Sequence, residues 1–556
     1  MESRWATVTL VTKLDKLAIR SDSNSRRWMG LVAISLSVAM IIVDSTIVNV
    51  AIPSIVKDLG ITSTEVQWIQ ESYTLVFASF LLVFGAVADN IGRRRLLILG
   101  VVVFAVASVA AAFADSGAWL IGARLIQGLG GAAILPASLS LINSTFTGRE
   151  RGIAFAIWGS TIGGMAAVGP LLGGWLTTSF SWRWAFGINI PIAIVIVVGV
   201  AVFVRESKSA LPTRIDGGGA VLSVIAAGTL VFALIEGRTD GWWFAKDAPS
   251  IGALEWPFIL SPIVFALLIS ASTIAGFVIR TIRRAAASKP TLIAPELFRI
   301  PSFRNGTTVA AIVSLGEFGI ILALPLWLQN VLGYTALETG VVLLALALGS
   351  FGASGLASAT VDRITPITSV RMGIVLEIIG LGALGLVIST DTPWWAIVIP
   401  LAVYGFGIGL ATAQITNVAL AGVPVGRSGQ ASGTQSTARQ FGSALGIALL
   451  GTLLFTVLQL DLERRLDGVP GSDAIVSAVV GSAGTAMPEL SIRFPDAADE
   501  ARAALALATS WTAYAAAGFL AAGLLSTIKL RADSPTDRSR HTEIEHPVAD
   551  AAASDS

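Results

Sequence analysis

Residues 159–174 read GSTIGGMAAVGPLLGG, and how this stretch is understood decides the fold. Six of its sixteen residues are glycine and one is Pro170, yet it lies inside a long apolar segment. In water, Gly and Pro each weaken a helix interior. In a bilayer the backbone must bond to itself, and small residues let a neighbouring helix approach closely. Pro170 removes one ladder bond and favours a bend. The stretch reads as a smooth, bendable helix at the seam of a bundle, with plain small-residue packing as the bland alternative.

Composition agrees with a membrane setting. The chain has 556 residues, a mean hydropathy of +0.77, 54% hydrophobic residues and 13% charged ones. That is the profile of an all-α polytopic membrane protein. A net charge of +1 gives no reason to expect a nucleic-acid partner. Cysteine is absent, which excludes disulfides and thiolate metal sites. Both histidines, His541 and His546, fall in the polar C-terminal tail, so proton chemistry within the membrane is left to carboxylates. No Ser/His/Asp, Cys/His or metal-spaced cluster points to an enzyme, and no GxxxxGK[ST] loop points to an ATP-driven pump. No metal and no cofactor are expected.

Apolar runs recur at about 28–50, 67–88, 96–114, 118–143, 152–177, 183–204, 215–235 and 258–280, and again at about 306–332, 338–360, 368–390, 394–420, 434–459 and 506–529. Each is long enough to cross a core of about 30 Å, giving about fourteen spans. Lys and Arg concentrate in alternate loops, which places both termini in the cytoplasm. Residues 1–27 form a polar, basic N-terminal segment rather than a cleavable leader. The longest cytoplasmic connection, 281–305, is basic. The longest external one, 460–505, is acidic, Ala-rich and suited to short helices. The tail 531–556 has the composition of a disordered segment. Trp182, Trp184, Trp242, Trp243, Trp394 and Trp395 fall where interfacial anchors belong.

Charged residues within spans are the natural functional candidates. Asp44 lies in the first, in IIVDSTIVNVAIP. An unpaired ionised Asp there costs at least about 2.5 kcal/mol, so it should face the bundle interior or water. It is either a proton carrier or a structural acid satisfied by hydrogen bonds. Glu71 sits about one turn into the second span, where it titrates from outside or is merely solvated. Arg124, in LIGARLIQGLGG, reads as the one basic residue inside a span. It meets a carboxylate or carbonyls, and it tunes a neighbour rather than carrying a proton. Glu317 is close to mid-membrane in its span and Glu377 is less deep. Glu317 either takes part in transport or makes a helix–helix hydrogen bond while protonated. Gln414, Asn417 and Gln435 add polar points nearer the cytoplasm. Between spans two and three stands GAVADNIGRRR, residues 85–95. Its glycines permit a tight turn, and Asp89 can cap a helix and pair with Arg93.

Together these motifs resemble the major facilitator superfamily, and within it the fourteen-span drug:proton antiporters. GAVADNIGRRR looks like the superfamily's first cytoplasmic loop motif, with Gly85, Asp89, Gly92 and Arg93 in place and Asn90 where a basic residue is usual. DSTIVNVAIP (44–53) resembles the first-helix signature of this branch, and LIGARLIQGLGG (120–131) the membrane-arginine motif. GGMAAVGPLLGG (163–174) is similar to the antiporter motif of helix five through Gly164, Gly169, Pro170, Gly173 and Gly174. SWRWAFGINIPI (181–192) also fits the branch. A second-half copy of the loop motif, ATVDRITP (359–366), is degenerate.

The resemblance implies two six-helix bundles, residues 28–204 and 306–530, with an inserted two-helix hairpin and its flanking loops at 205–305. It implies proton coupling through Asp44, Glu71 and Arg124, and a helix-five seam that closes towards the outside. It also implies a cytoplasmic latch at Asp89. The expected function is proton-coupled efflux of amphipathic small molecules or drugs across the bacterial cytoplasmic membrane. Glu317, Glu377, Gln414 and Asn417 are the candidates for the substrate cavity. The alternative is an exporter of an endogenous lipid or metabolite, with drug efflux incidental. The expected partners are substrate, protons and membrane lipid, acting on a monomer.

Overall fold

A computed structural model describes residues 2–61, 63–208, 215–237, 240–245, 250–251, 254–256, 258–360, 363–482, 484 and 486–530. The tail 531–556, and with it both histidines, lies outside the described residues, as does the centre of the degenerate second loop motif.

The first half comprises α1 (Glu2–Leu59), α2 (Ser63–Ile91), α3 (Arg93–Ala112), α4 (Gly117–Thr145), α5 (Gly148–Ser179), the short α6 (Arg183–Gly187) and α7 (Asn189–Phe203). A hairpin of α8 (Gly217–Glu236) and α9 (Pro262–Ala286) follows. The second half comprises α10 (Pro301–Asn330), α11 (Ala336–Thr360), α12 (Pro366–Val387), α13 (Trp394–Leu420) and α14 (Ser428–Arg465). It is completed by two short helices, α15 (Ser472–Gly481) and α16 (Met487–Arg493), and by α17 (Pro495–Ser526). Twelve helices among the described residues are long and apolar enough to cross a membrane. The other two expected spans fall on α5 and α11, of 32 and 25 residues. The only strands among the described residues are two dipeptides, Ser250–Ile251 and Leu254–Glu255, paired antiparallel in the α8–α9 loop.

Local chemistry explains several boundaries. Ser261 and Thr365 accept hydrogen bonds from Ile263 N and Thr368 N, each at 3.2 Å, and a proline follows each cap directly. α3 is started differently. Gly92 turns the chain at φ 109°, and Glu206, just past α7, accepts from Arg94 N (3.1 Å) and Arg95 N (3.2 Å). The expected span 183–204 is divided at Ile188, because Pro191 has no N–H to give the Gly187 carbonyl. α5, by contrast, is one helix through Pro170.

Each half has its own core. One is centred on α1–α5 and α7 around Phe104, Phe155 and Trp158 and continues across the seam to Phe303, Ala353 and Ala413; the other spans α10–α17 around Trp327, Tyr404 and Leu458. The hairpin packs on α2, where Trp68 and Phe232 stack at 6.3 Å. At its base Asp216 accepts from Arg280 Nη2 at 2.7 Å, with Arg284 at 3.4 Å. Burial works against that carboxyl's charge, but the arginine bonds prevail and hold it below the usual carboxylate range. The external segment forms α15 and α16, whose Val476, Val479 and Met487 join the core of the second half.

Two sequence expectations need correcting. Trp182 is not an interfacial anchor: it is 3% exposed and donates from Nε1 to Asp58 at 3.0 Å, sealing the outer end of the first half. Trp184, Trp243, Trp394 and Trp395 are exposed as expected. Nor is Arg124 alone among basic residues inside a span. Arg439 sits in the fourth turn of α14 and faces Glu317.

Candidate functional site

Two features lie where the halves meet, and one lies inside each half. The first is the loop after α2, expected on the cytoplasmic side from its arginines. Asp89 accepts from Gly429 N (2.8 Å) and Gln430 N (2.9 Å), so it caps α14 of the opposite half. Arg93 Nη2 donates to the same carboxylate at 2.8 Å and also to the Val425 carbonyl. A carboxylate at a helix N-terminus gains from both the free N–H groups and the dipole. Gly85 makes the approach possible, since a Cβ there would come 2.6 Å from the Gly429 carbonyl oxygen and 2.7 Å from Gly433 Cα. Asn90 instead turns back to donate to its own helix, at Ala86 O (3.0 Å).

The second feature is the glycine-rich helix α5, a two-faced seam. Towards α1, a Cβ on Gly169 would collide with Thr46, and one on Gly173 would come 2.9 Å from Ile47. Towards the other half, Gly159 meets Ala413 of α13 (2.8 Å), and Gly164 is covered by the Phe351 ring of α11. Pro170 and Leu171 lie against Gly340, and Gly174 against Leu337. The cytoplasmic end of this seam is polar. Arg151 donates to Asn417 Oδ1 (3.0 Å), Gln414 donates to the Gly152 carbonyl (3.2 Å), and Asn417 donates to Gln414 Oε1 (3.0 Å).

The third feature is a polar node inside the first half. Asp44 is 0% exposed and accepts three hydrogen bonds: Arg124 Nη1 at 2.5 Å, Asn189 Nδ2 at 2.7 Å and Gln127 Nε2 at 3.1 Å. Arg124 also donates to Gln127 Oε1 (3.0 Å) and to the Ile69 carbonyl (3.2 Å), and it lies 4.3 Å over the Tyr73 ring. Ser108 Oγ accepts from Gln127 at 2.8 Å and Asn189 at 3.2 Å. Five helices, α1, α2, α3, α4 and α7, are thereby tied at one charge-neutral point. The acid that Arg124 meets is therefore Asp44. Glu71 stays half-buried on α2.

The fourth feature lies inside the second half. Glu317 on α10 accepts from Thr412 Oγ1 at 3.0 Å and stands 3.9 Å from Arg439. Tyr404 donates to the Glu317 carbonyl at 3.0 Å, and Arg439 Nε reaches Ser314 Oγ at 3.4 Å. Glu377 on α12 is wholly buried beside them. The four expected cavity residues thus fall in two places. Glu317 and Glu377 share this cluster, whereas Gln414 and Asn417 face α5 from another side of α13. Sequence reading passed over Gln127, Asn189, Ser108, Thr412 and Arg439. A polar side chain inside an apolar run was the signal in each case.

The comparisons agree with this architecture. The Major Facilitator Superfamily profile matches residues 34–447. Puromycin resistance protein pur8 of Streptomyces alboniger is 34% identical, over 77% of this chain and 82% of its own length. Multidrug resistance protein Stp of Mycobacterium tuberculosis is 32% identical, over 80% and 79%. Among solved structures, the human organic anion transporter MFSD10 shares the fold alone, at a TM-score of 0.55 and 12% identity over 90% of this chain and 99% of that one. With its two helical halves, its capped α14 and its glycine seam, the chain belongs to the Major Facilitator Superfamily of membrane transporters.

Proposed function

We propose that the chain is a proton-coupled antiporter that exports amphipathic small molecules across the bacterial cytoplasmic membrane by alternating access. Relatives named for puromycin and multidrug resistance support the substrate class. The observation that carries the coupling is the position of Asp44 on α1. Its carboxylate holds Arg124, while Val43 and Thr46 of the same turn press on Gly169 of α5. One turn of helix therefore touches both the buried ion pair and the seam between the halves.

In the cycle that follows, the ionised Asp44 keeps α1 tied to α4 and α7. A proton arriving from outside, past Glu71, neutralises Asp44 and releases Arg124, and the α1–α5 packing loses its anchor. Opening the cytoplasmic side breaks the Asp89 cap on α14 and parts α5 from α13. Gln414 and Asn417 then turn from seam residues into amides facing substrate, with Glu317 supplying an acid on the α10 side. Coupling requires only that proton and substrate favour different states of one equilibrium. The drive is about 2.3 kcal/mol per 100 mV and about 1.4 kcal/mol per pH unit, so one proton sustains a roughly hundredfold gradient or more. No cofactor enters the cycle, and no step in it needs a second copy of the chain.

Inverted vesicles with an imposed proton gradient and ethidium as the probe test this reading. Wild type is expected to move dye only with the gradient present, and Asp44→Asn is expected to lose that transport. Equal transport by both proteins overturns the assignment of Asp44. No transport by wild type moves the endogenous lipid or metabolite reading to first place.

A further inference from the structure

The second half keeps two carboxylates away from water and sets a partly buried guanidinium beside them. Glu377 is 0% exposed, and neither of its oxygens has a hydrogen-bond partner among the described residues. Backbone encloses it rather than solvent. A Cβ on Gly407 of α13 would come 2.7 Å from Glu377 Cγ, and one on Gly380 would come 2.7 Å from Tyr404 N. The charged groups acting on it are Glu317 and Arg439. Arg439 lies nearer to Glu317, at 3.9 Å, and Glu317 has Thr412 as a further donor.

The other elements supply little else. From α13 comes Tyr404, whose hydroxyl is committed to the Glu317 carbonyl. From α17 comes Tyr514, which lies against Gly385, two turns further out. On α12 itself, Arg371 is bonded to Thr527 at the cytoplasmic end.

Two ionised acids against one arginine would leave a net negative charge in a dry core, the costliest arrangement for a buried group. One proton removes it. The geometry also says where that proton rests, because Glu317 has the arginine and the hydroxyl and Glu377 has neither. We propose that Glu317 and Glu377 form a paired-carboxylate site that binds one proton, with Arg439 as the counter-ion for which the two acids compete. This site is separate from the Asp44 node. That its proton is a coupling ion rests on the antiport reading; that the pair binds a proton does not.

Arg439 rides on α14, the helix whose first turn is capped by Asp89 of the opposite half. Sliding α14 against α12 when that cap breaks carries the guanidinium from Glu317 towards Glu377. Glu377 then gives up its proton and pairs with Arg439 as a carboxylate. Glu317, left without its counter-ion, takes the proton, so charge is balanced at every stage. The three side chains act as a proton store switched by the same movement that opens the cytoplasmic side.

The test is infrared difference spectroscopy of the full chain in liposomes, titrated from acid to alkaline pH. Wild type is expected to lose a protonated-carboxyl C=O band as pH rises. Glu377→Gln should lack that band, and Asp44→Asn should keep it. Glu317→Gln should lack it as well, because the remaining acid then pairs with Arg439 and ionises. Arg439→Gln should add a second protonated-carboxyl band. If Glu377→Gln fails to fold, the Glu317→Gln and Arg439→Gln results still decide. A band that never titrates in wild type, or that survives in Glu317→Gln, marks Glu377 as an isolated structural acid and overturns the shared site. Absence of ethidium transport by wild type would sink the antiport reading and leave the band result standing.

Discussion

Asp44 in the first half accepts three hydrogen bonds and faces one arginine, whereas in the second half Glu317 accepts one from a side chain and Glu377 none. Both clusters place an acid and an arginine between helices of a single bundle. They differ in charge balance. In the first, one carboxylate faces one arginine and both carboxylate oxygens accept hydrogen bonds, so protonation of Asp44 breaks a pair and leaves Arg124 buried without its partner. The second has one acid too many and an arginine at arm's length, so a proton is part of its resting composition. A closed knot stores a decision; an open one exchanges. A transporter that must both commit to a state and carry an ion has use for each.

The sharpest way to break this comparison is to remove the arginines in turn. Arg124→Ala should destabilise the protein by about 3–5 kcal/mol, read as thermal unfolding in detergent, because Asp44 is left charged and dry. Adding Asp44→Asn should recover part of that loss. Arg439→Ala should cost markedly less, since a proton can neutralise the acid it leaves; an equal cost would erase the distinction between the clusters.

Next in size is the cap on α14. Asp89→Asn weakens two charge-assisted bonds, of about 1.5–3 kcal/mol each, and favours the state open to the cytoplasm. The chain contains no cysteine, so Gln414→Cys gives a single thiol at the seam. Its labelling by a membrane-impermeant reagent in inverted vesicles should rise about tenfold or more with Asp89→Asn. Unchanged labelling would mean that the cap does not hold the seam shut.

Smaller still, Glu377→Gln should leave stability within about 1 kcal/mol of wild type, because the amide replaces an acid already uncharged. A large loss there would show that Glu377 is ionised and paired.

The smallest effect concerns the outer surface. Hydrogen bonds from Arg183, and then from Trp182, hold the Asp58 carboxyl below its ordinary range. A depressed acid stabilises the fold above its unfolded pKa and loses that contribution as pH falls through the folded one. A slight drop in melting temperature below about pH 4 should therefore be absent in Asp58→Asn.

Much of the fold was legible in the sequence because the bilayer imposes span length and loop charge one segment at a time. Asp44, Arg124 and Glu317 were legible for a related reason: a charge inside an apolar run has no local explanation. Their partners were not. Arg124 and Asp44 are separated by 80 positions, and only helix packing brings them to 2.5 Å. Arg439 escaped because it lies near the cytoplasmic end of its run, where the loop-charge rule already accounts for an arginine. Trp182 misled for the mirror-image reason, since interfacial position alone does not say whether a ring faces lipid or Asp58. The four cavity candidates fall in two places because α13 presents different sides every few residues, one towards Glu317 and another towards α5. Thr412 faces α10, while Gln414 and Asn417 face α5.

α14 runs unbroken for 38 residues, about 57 Å at 1.5 Å per residue, well beyond the thickness of a bilayer core. Its inner end bears the Asp89 cap, its fourth turn bears Arg439, and its outer end bears Arg465, which is salt-bridged to Glu500 at 2.7 Å. A rod of that length is a lever arm. Tilting it by a few degrees at the inner end sweeps its far tip several ångströms across the outer face. The α15–α16 cap resting on that tip is carried along, so any tilt of the capped end is magnified at the opposite end of the molecule.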